Sequence, residues 1–163
     1  MKVNISGAIK HSSVNGPGIR YVLFMQGCPH RCKGCQNPET HSLNGGITMD
    51  TKDIIKTILE TKYIDGVTLS GGDPFMQPEA TLEIIKSLKE KNINIWIYTG
   101  YLYESLISKK EGRAILNYAD VLVDGKFKEK LLSNKCIYRG SSNQRLIDVK
   151  KSLLKGKIVI FVP

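Results

Sequence analysis

The sequence predicts an α/β fold: a partial, laterally open (β/α) barrel of about five or six mostly parallel strands, forming a single domain over 1–163. Three observations lead there. Short apolar, β-branched runs alternate with segments of helical period, the pattern of parallel βαβ units. The chain has 163 residues, whereas a closed eight-unit barrel takes roughly 250. The unusual glycine- and cysteine-bearing stretches each follow a strand, and loops at the carboxyl ends of parallel strands share one rim. An open doubly wound sheet is the alternative.

The elements follow in order. "IRYVLFM" (19–25) reads as a buried strand. "TMDTKDIIKTILETK" (48–62) reads as a helix with Asp50 as N-cap and an apolar face of Ile54, Ile55, Ile58 and Leu59. "GVTLS" (66–70) is a strand, and "QPEATLEIIKSLKEK" (77–91) a helix with Pro78 in its first turn. "INIWIY" (93–98) is a strand, "GRAILNYA" (112–119) a helix and "DVLVD" (120–124) a strand. The tail offers a short "LIDV" (146–149), a basic link and "KIVIFV" (157–162). The four special loops then follow four strands: the cysteine loop, "SGGDP" (70–74), "YTGY" (98–101) and "DGKF" (124–127).

Composition bounds the function. Lys and Arg number 24 against 15 Asp and Glu, a formal charge of +9. The cations are scattered, without aromatics interleaved on adjacent strands, so the pattern is not that of a nucleic-acid binder. No apolar run approaches the roughly 18 residues of a membrane span, and no leader is visible at the N-terminus. The expected setting is cytoplasmic, where thiols stay reduced and a disulfide framework is not expected.

Three of the four cysteines lie in "GCPHRCKGC", spaced C-x3-C-x2-C. Thiolates are soft ligands for zinc, copper(I) or iron–sulfur clusters. Structural zinc takes four protein ligands, often as two C-x2-C knuckles, and a second knuckle is missing. His30 could serve as a fourth ligand, but the expected reading is a solvent-facing loop histidine. Three cysteines fit a [4Fe-4S] cluster with one iron lacking a protein ligand, an open position suited to chemistry. A zinc-binding interaction module remains the reading from a different class.

With these residues in view, the chain resembles the radical S-adenosyl-L-methionine (SAM) superfamily, whose mark is C-x3-C-x2-C after a first strand. The resemblance implies that Cys28, Cys32 and Cys35 hold the cluster and that SAM chelates the open iron. One electron then cleaves the sulfonium, and a 5′-deoxyadenosyl radical abstracts a hydrogen atom. "NGPGIR" (15–20), "SGGDPF" (70–75) and "RGSSNQR" (139–145) are similar to the glycyl-radical-enzyme activases, in the branch that serves anaerobic (class III) ribonucleotide reductase. That branch implies the reductase large subunit, a glycyl radical protein, as partner, and an electron donor such as flavodoxin. The alternative is a short radical SAM enzyme acting on a small molecule, as deazapurine synthases do.

The resemblance also implies site residues. Gly71, Gly72 and Asp73 are expected at the SAM amino group, and Thr99 and Asp124 at its ribose or carboxylate. Asp124 beside a carboxylate would need a cation or a proton between them; the alternative is a strand-end Asp that caps the next turn. Many members place an aromatic residue just before the third cysteine; here it is Gly34, so Gly34, Cys35 and Gln36 are expected to meet the adenine through backbone. Arg139 and Arg145 are expected to receive the partner or brace SAM. Arg20 is a further candidate, and Cys136 is expected to be an idle thiol.

Overall fold

The computed structural model describes residues 1–163 and has seven strands and five helices. In chain order these are β1 (Lys2–Ser12), β2 (Arg20–Met25), β3 (Ile47–Asp50), α1 (Thr51–Glu60), β4 (Gly66–Gly71), α2 (Pro78–Lys89), β5 (Ile95–Tyr98), α3 (Tyr103–Ile107), α4 (Lys110–Leu116), β6 (Val121–Asp124), β7 (Arg145–Asp148) and α5 (Val149–Lys155). One sheet holds all the strands in the order β3-β1-β2-β4-β5-β6-β7. The pairs β2–β4, β4–β5 and β5–β6 are parallel. The pairs β1–β2, β1–β3 and β6–β7 are antiparallel. The sheet is therefore mixed and larger than expected, parallel only in its middle.

The departures have local causes. β1 escapes a pattern reading because it buries Val3 and Ile5 and then exposes Ala8 through His11. The helix expected from Thr48 starts three residues later: Thr48–Asp50 pair with β1, and Lys2 faces Asp50 across the ladder. Asp50 still caps α1, its Oδ1 accepting from the Lys52 amide at 3.0 Å. In α1 the buried stripe is narrower than expected: Ile54 and Ile58 are buried, whereas Leu59 is exposed. α3 was not anticipated. "KIVIFV" is not a strand; a single bridge joins Ile160 to Ile147.

Side chains alternate along the central strands of the sheet. Leu23, Met25, Val67, Leu69, Ile95, Ile97, Leu122 and Ile147 point to the main core. All five helices bury side chains in that same core, among them Ile58, Ile84, Tyr103, Ile115 and Val149. Complete burial of each such Ile or Leu is worth about 1.5–3 kcal/mol. On the opposite face Trp96, Val121, Val123 and Leu146 form a smaller cluster under Tyr98, Tyr138 and Phe161. Helices thus cover one face only, which overturns the doubly wound alternative.

This topology places the site. The carboxyl ends of β2, β4, β5 and β6 lie along one edge, because these strands are parallel neighbours in register. β7 runs antiparallel and begins at that edge, with Arg145 opposite Asp124.

Candidate iron–sulfur site

The cysteine loop leaves β2 at Gln26, and this glutamine ties its two limbs together. Its buried side chain donates to the carbonyls of Glu39 (3.2 Å) and Ser42 (2.7 Å). Gly27 N donates to Thr40 O at 2.7 Å, and Cys28 N to His41 O at 3.2 Å. Between these ties Arg31 (φ +48°) and Gly34 (φ +75°) adopt left-handed backbone, which turns the chain tightly enough to carry three thiols. Cys28, Cys32 and Cys35 are all free and half-buried. The Asn37 amide donates to Cys35 Sγ at 3.4 Å. Burial pushes the Cys28 thiol up from its ordinary value, while the backbone amides of His30 and Arg31 pull it down. No three Cys, His, Asp or Glu side chains converge closely enough for one metal ion. The donor chemistry, three soft thiols on one tight loop, fits an iron–sulfur cluster.

The glycine loop lies flush against it. Gly72 N donates to Met25 O, and Asp73 N to Gly27 O, both at 2.8 Å. A Cβ on Gly72 would stand 2.3 Å from Gly27 O, and one on Gly71 2.6 Å from Met25 N. Glycine is required at both positions by this backbone-to-backbone approach.

Asp73 is the hub of the rim and is fully buried. Its carboxylate accepts from Phe75 N (3.0 Å), Thr99 Oγ1 (2.8 and 3.0 Å), Gly100 N (3.0 Å) and His30 Nε2 (2.8 Å). Thr99 Oγ1 in turn accepts from Tyr101 N at 3.1 Å. Asp124, also fully buried, accepts from Arg145 Nε (2.9 Å), a second Arg145 nitrogen (2.5 Å) and the Tyr103 amide that opens α3 (2.8 Å). The Arg145 guanidinium supplies a positive charge beside Asp124 and also forks onto Glu104. These partners raise the Arg145 pKa: Asp124 first, then Glu104. The carboxylates of Asp73 and Asp124 and the Thr99 hydroxyl are thus each hydrogen-bonded within the protein.

One further expectation changes, and the three arginines find partners within the protein. His30 is not solvent-facing; its side chain is 6% exposed. Arg20 lies at the amino end of β2, at the far end from the cysteine loop, and is buried against Thr68, Val67 O and Asn94. Arg139 and Arg145 take different partners: Arg139 donates to Gln144 O at 2.6 Å, and Arg145 to Asp124 and Glu104. The rest of "RGSSNQR" is spent on the loop after β6, with Gln144 donating to Gly125 O and Asn143 to Lys126 O.

A cavity of about 370 Å³ opens beside the cysteine loop. Gln36, Asn15, Tyr98, Cys136, Tyr138 and Arg139 are among its walls. Gln36 directly follows the third cysteine, so the cavity joins that loop to the helix-free face of the sheet. Above Gly34 stands Glu129, whose carboxyl carbon would be 2.9 Å from a Cβ there. Sequence reasoning missed His30, Gln26, Gln77 and Glu129 as builders of this site. Gln26 had a signal, a glutamine closing an apolar strand, and Gln77 bridges it to β1 through Gln26 O and Asn4 O.

Comparison with known proteins agrees with this arrangement. Residues 14–147 match the family described as "4Fe-4S single cluster domain". The anaerobic ribonucleoside-triphosphate reductase-activating protein of Enterobacteria phage T4 is 41% identical over 82% of this chain and 86% of its own. Its counterpart in Vibrio cholerae is 42% identical over 80% of this chain and 88% of its own, and that of Escherichia coli 39% over 80% and 89%. The solved structure of QueE from Escherichia coli superposes with a TM-score of 0.49 at 17% identity, over 61% of this chain and 53% of that one. With a cysteine loop built for iron and a relationship of this depth over most of its length, the chain belongs to the 4Fe-4S single cluster domain family, among the anaerobic ribonucleoside-triphosphate reductase-activating proteins.

Proposed function

We propose that this chain, a single radical SAM domain over 1–163, activates anaerobic ribonucleotide reductase by generating a glycyl radical on its large subunit. The observation that carries this reading is the 41% identity to an activating protein over 82% of the chain. It favours the activase over a small-molecule enzyme, and the family match favours an iron–sulfur cluster over zinc.

Cys28, Cys32 and Cys35 would hold the [4Fe-4S] cluster. Cluster and SAM, when bound, supply a one-electron sulfonium cleavage and the hydrogen-atom abstraction that follows. The chain's own part is positioning. The backbone of Gly71, Gly72 and Asp73 faces the SAM amino group, and that of Gly34, Cys35 and Gln36 the adenine. Thr99 and Asp124 shape the rim from within, and Arg145 braces it. Arg139 stands in the cavity wall, placed to meet the reductase segment. The sheet acts as a partial barrel whose helix-free face admits that segment, since its end strands β3 and β7 do not pair.

The electron donor in this reading is an acidic carrier such as flavodoxin. Arg31 and Lys33 on the cysteine loop, and Lys128 and Lys130 flanking the Glu129 that meets Gly34, are exposed and form no ion pair. Nucleic acid and membrane play no part in the proposal; no helix is long and apolar enough to cross a membrane. The test is anaerobic mixing with SAM, a reductant and the reductase. We expect 5′-deoxyadenosine and a glycyl radical signal on the partner, both lost together with iron when any of the three cysteines becomes Ala. Full iron content in all three variants would refute the assignment.

A further inference from the structure

We infer that His30 is a positioning residue: its ring pins the cysteine loop to Asp73 and so sets where the cluster stands relative to the SAM-binding glycine loop. This rests on the functional reading above and adds to it a residue that is neither a cysteine ligand nor part of the glycine loop.

The ring occupies a place that three loops build for it. Pro29 and Arg31 on either side are exposed, yet the His30 side chain is 6% exposed. Its Nε2 lies 2.8 Å from Asp73 Oδ2. A carboxylate only accepts, so Nε2 carries the proton and donates. The ring meets Tyr101 edge-on, with centroids 4.5 Å apart at 75°. It also lies flat enough on Gly100 that a Cβ there would be 2.3 Å from His30 Cδ2. A loop histidine with no structural duty would not find a glycine, an aromatic ring and a buried carboxylate arranged around it.

The hydrogen bond is informative for what it joins. Every other donor to the Asp73 carboxylate comes from the loops after β4 and β5, namely Phe75 N, Thr99 Oγ1 and Gly100 N. His30 alone reaches in from the cysteine loop. The backbone ties between the limbs of that loop join Gly27 and Cys28 to Thr40 and His41, and none holds the residues between Cys28 and Cys32. His30 thus holds the stretch between Cys28 and Cys32. Its partner, Asp73, ends the Gly71–Gly72–Asp73 segment that faces the SAM amino group. One bond therefore links the span between two cluster ligands to the nucleotide-binding backbone.

Removing it frees the loop without dismantling the rim, because Asp73 keeps its other donors. A displacement on the order of 1 Å at such a joint is enough to cost about 100-fold in a positioned reaction. The three thiols remain, so iron binding should survive.

The experiment compares wild type, His30→Ala and His30→Gln after anaerobic reconstitution with iron and sulfide. It reads iron per chain, the paramagnetic resonance spectrum of the reduced cluster with and without SAM, and the SAM dissociation constant from that titration. We expect His30→Ala to hold as much iron as wild type, to bind SAM about 10-fold more weakly and to lose most of the SAM-induced spectral change. In His30→Gln the amide nitrogen falls near the position of Nε2 and can donate to Asp73, so affinity should return to within about 3-fold of wild type. Wild-type SAM affinity in His30→Ala would overturn the inference. Loss of iron in His30→Ala would also overturn it, by making the residue a ligand. So would a Gln variant no better than Ala, which assigns the ring to packing alone. A wild-type cluster whose spectrum ignores SAM refutes the functional reading itself, whatever the variants do.

Discussion

Arg20 carries a positive charge into the sheet with no carboxylate against it. Its guanidinium donates to Thr68 Oγ1, Pro17 O, Val67 O and both oxygens of Asn94, and it lies over the Trp96 ring at 5.6 Å. Burial lowers its pKa to about 10. The five-donor fork makes this arrangement possible, since it can satisfy several carbonyls at once where a lysine would satisfy fewer. It also explains Gly16, whose Cβ would collide with the Arg20 side chain at 2.7 Å. The "NGPGIR" segment is thus a seal at the amino end of the strands. Arg20→Met should cost about 2–4 kcal/mol by leaving those acceptors unpaired, with Arg20→Lys falling between. Urea unfolding of the apo-protein checks it; a change below about 0.5 kcal/mol, the range of an ordinary surface substitution, would show the network to be dispensable.

Among the elements, Asp120 is the clamp that fixes helices to the sheet opposite the active rim. It precedes β6, accepts from Ile95 N at 2.7 Å, and pairs with Lys89 of α2 and with Lys150 of α5 (3.0 Å). Burial works to raise its pKa, but the hydrogen bonds from Lys89, Ile95 and Lys150 outweigh it, and the net shift is downward. A carboxylate with a depressed folded pKa adds stability above its unfolded value near 3.9 and loses it as pH falls through the folded value. Asp120→Asn should therefore cost roughly 1–2 kcal/mol at pH 7. The gap to wild type should close in acid below about pH 4. Thermal melts across pH 2–7 check this; a gap that stays constant would mean that the charge contributes nothing.

At the scale of the whole molecule, the +9 charge is not consumed internally. Few lysines pair with acids, and the cations beside the cysteine loop stand free. An edge with a cationic excess beside a redox site steers an oppositely charged carrier, and salt screens that attraction beyond about 8–10 Å. If the donor is the acidic carrier proposed above, reduction of the cluster by flavodoxin should slow about 10-fold between low salt and roughly 0.3 M. Stopped-flow traces showing no salt dependence would leave the charge a matter of solubility.

The sequence by itself determined what is local. The spacing of Cys28, Cys32 and Cys35 is a property of eight consecutive residues. The parallel centre of the sheet was legible because its strands are buried on both faces and read as unbroken apolar runs. β1 and β3 were not: β1 buries apolar side chains only over its first residues, and β3, an edge strand, gains its order from pairing with β1 more than from its own composition. The tertiary structure alone decided where the polar side chains of the rim point. His30 and Asp73 are 43 residues apart, and Asp124 and Arg145 are 21 apart. No local propensity encodes either pair. Each exists because parallel strands in register bring separate loops to one edge, where a buried charge must find a partner or not be buried at all.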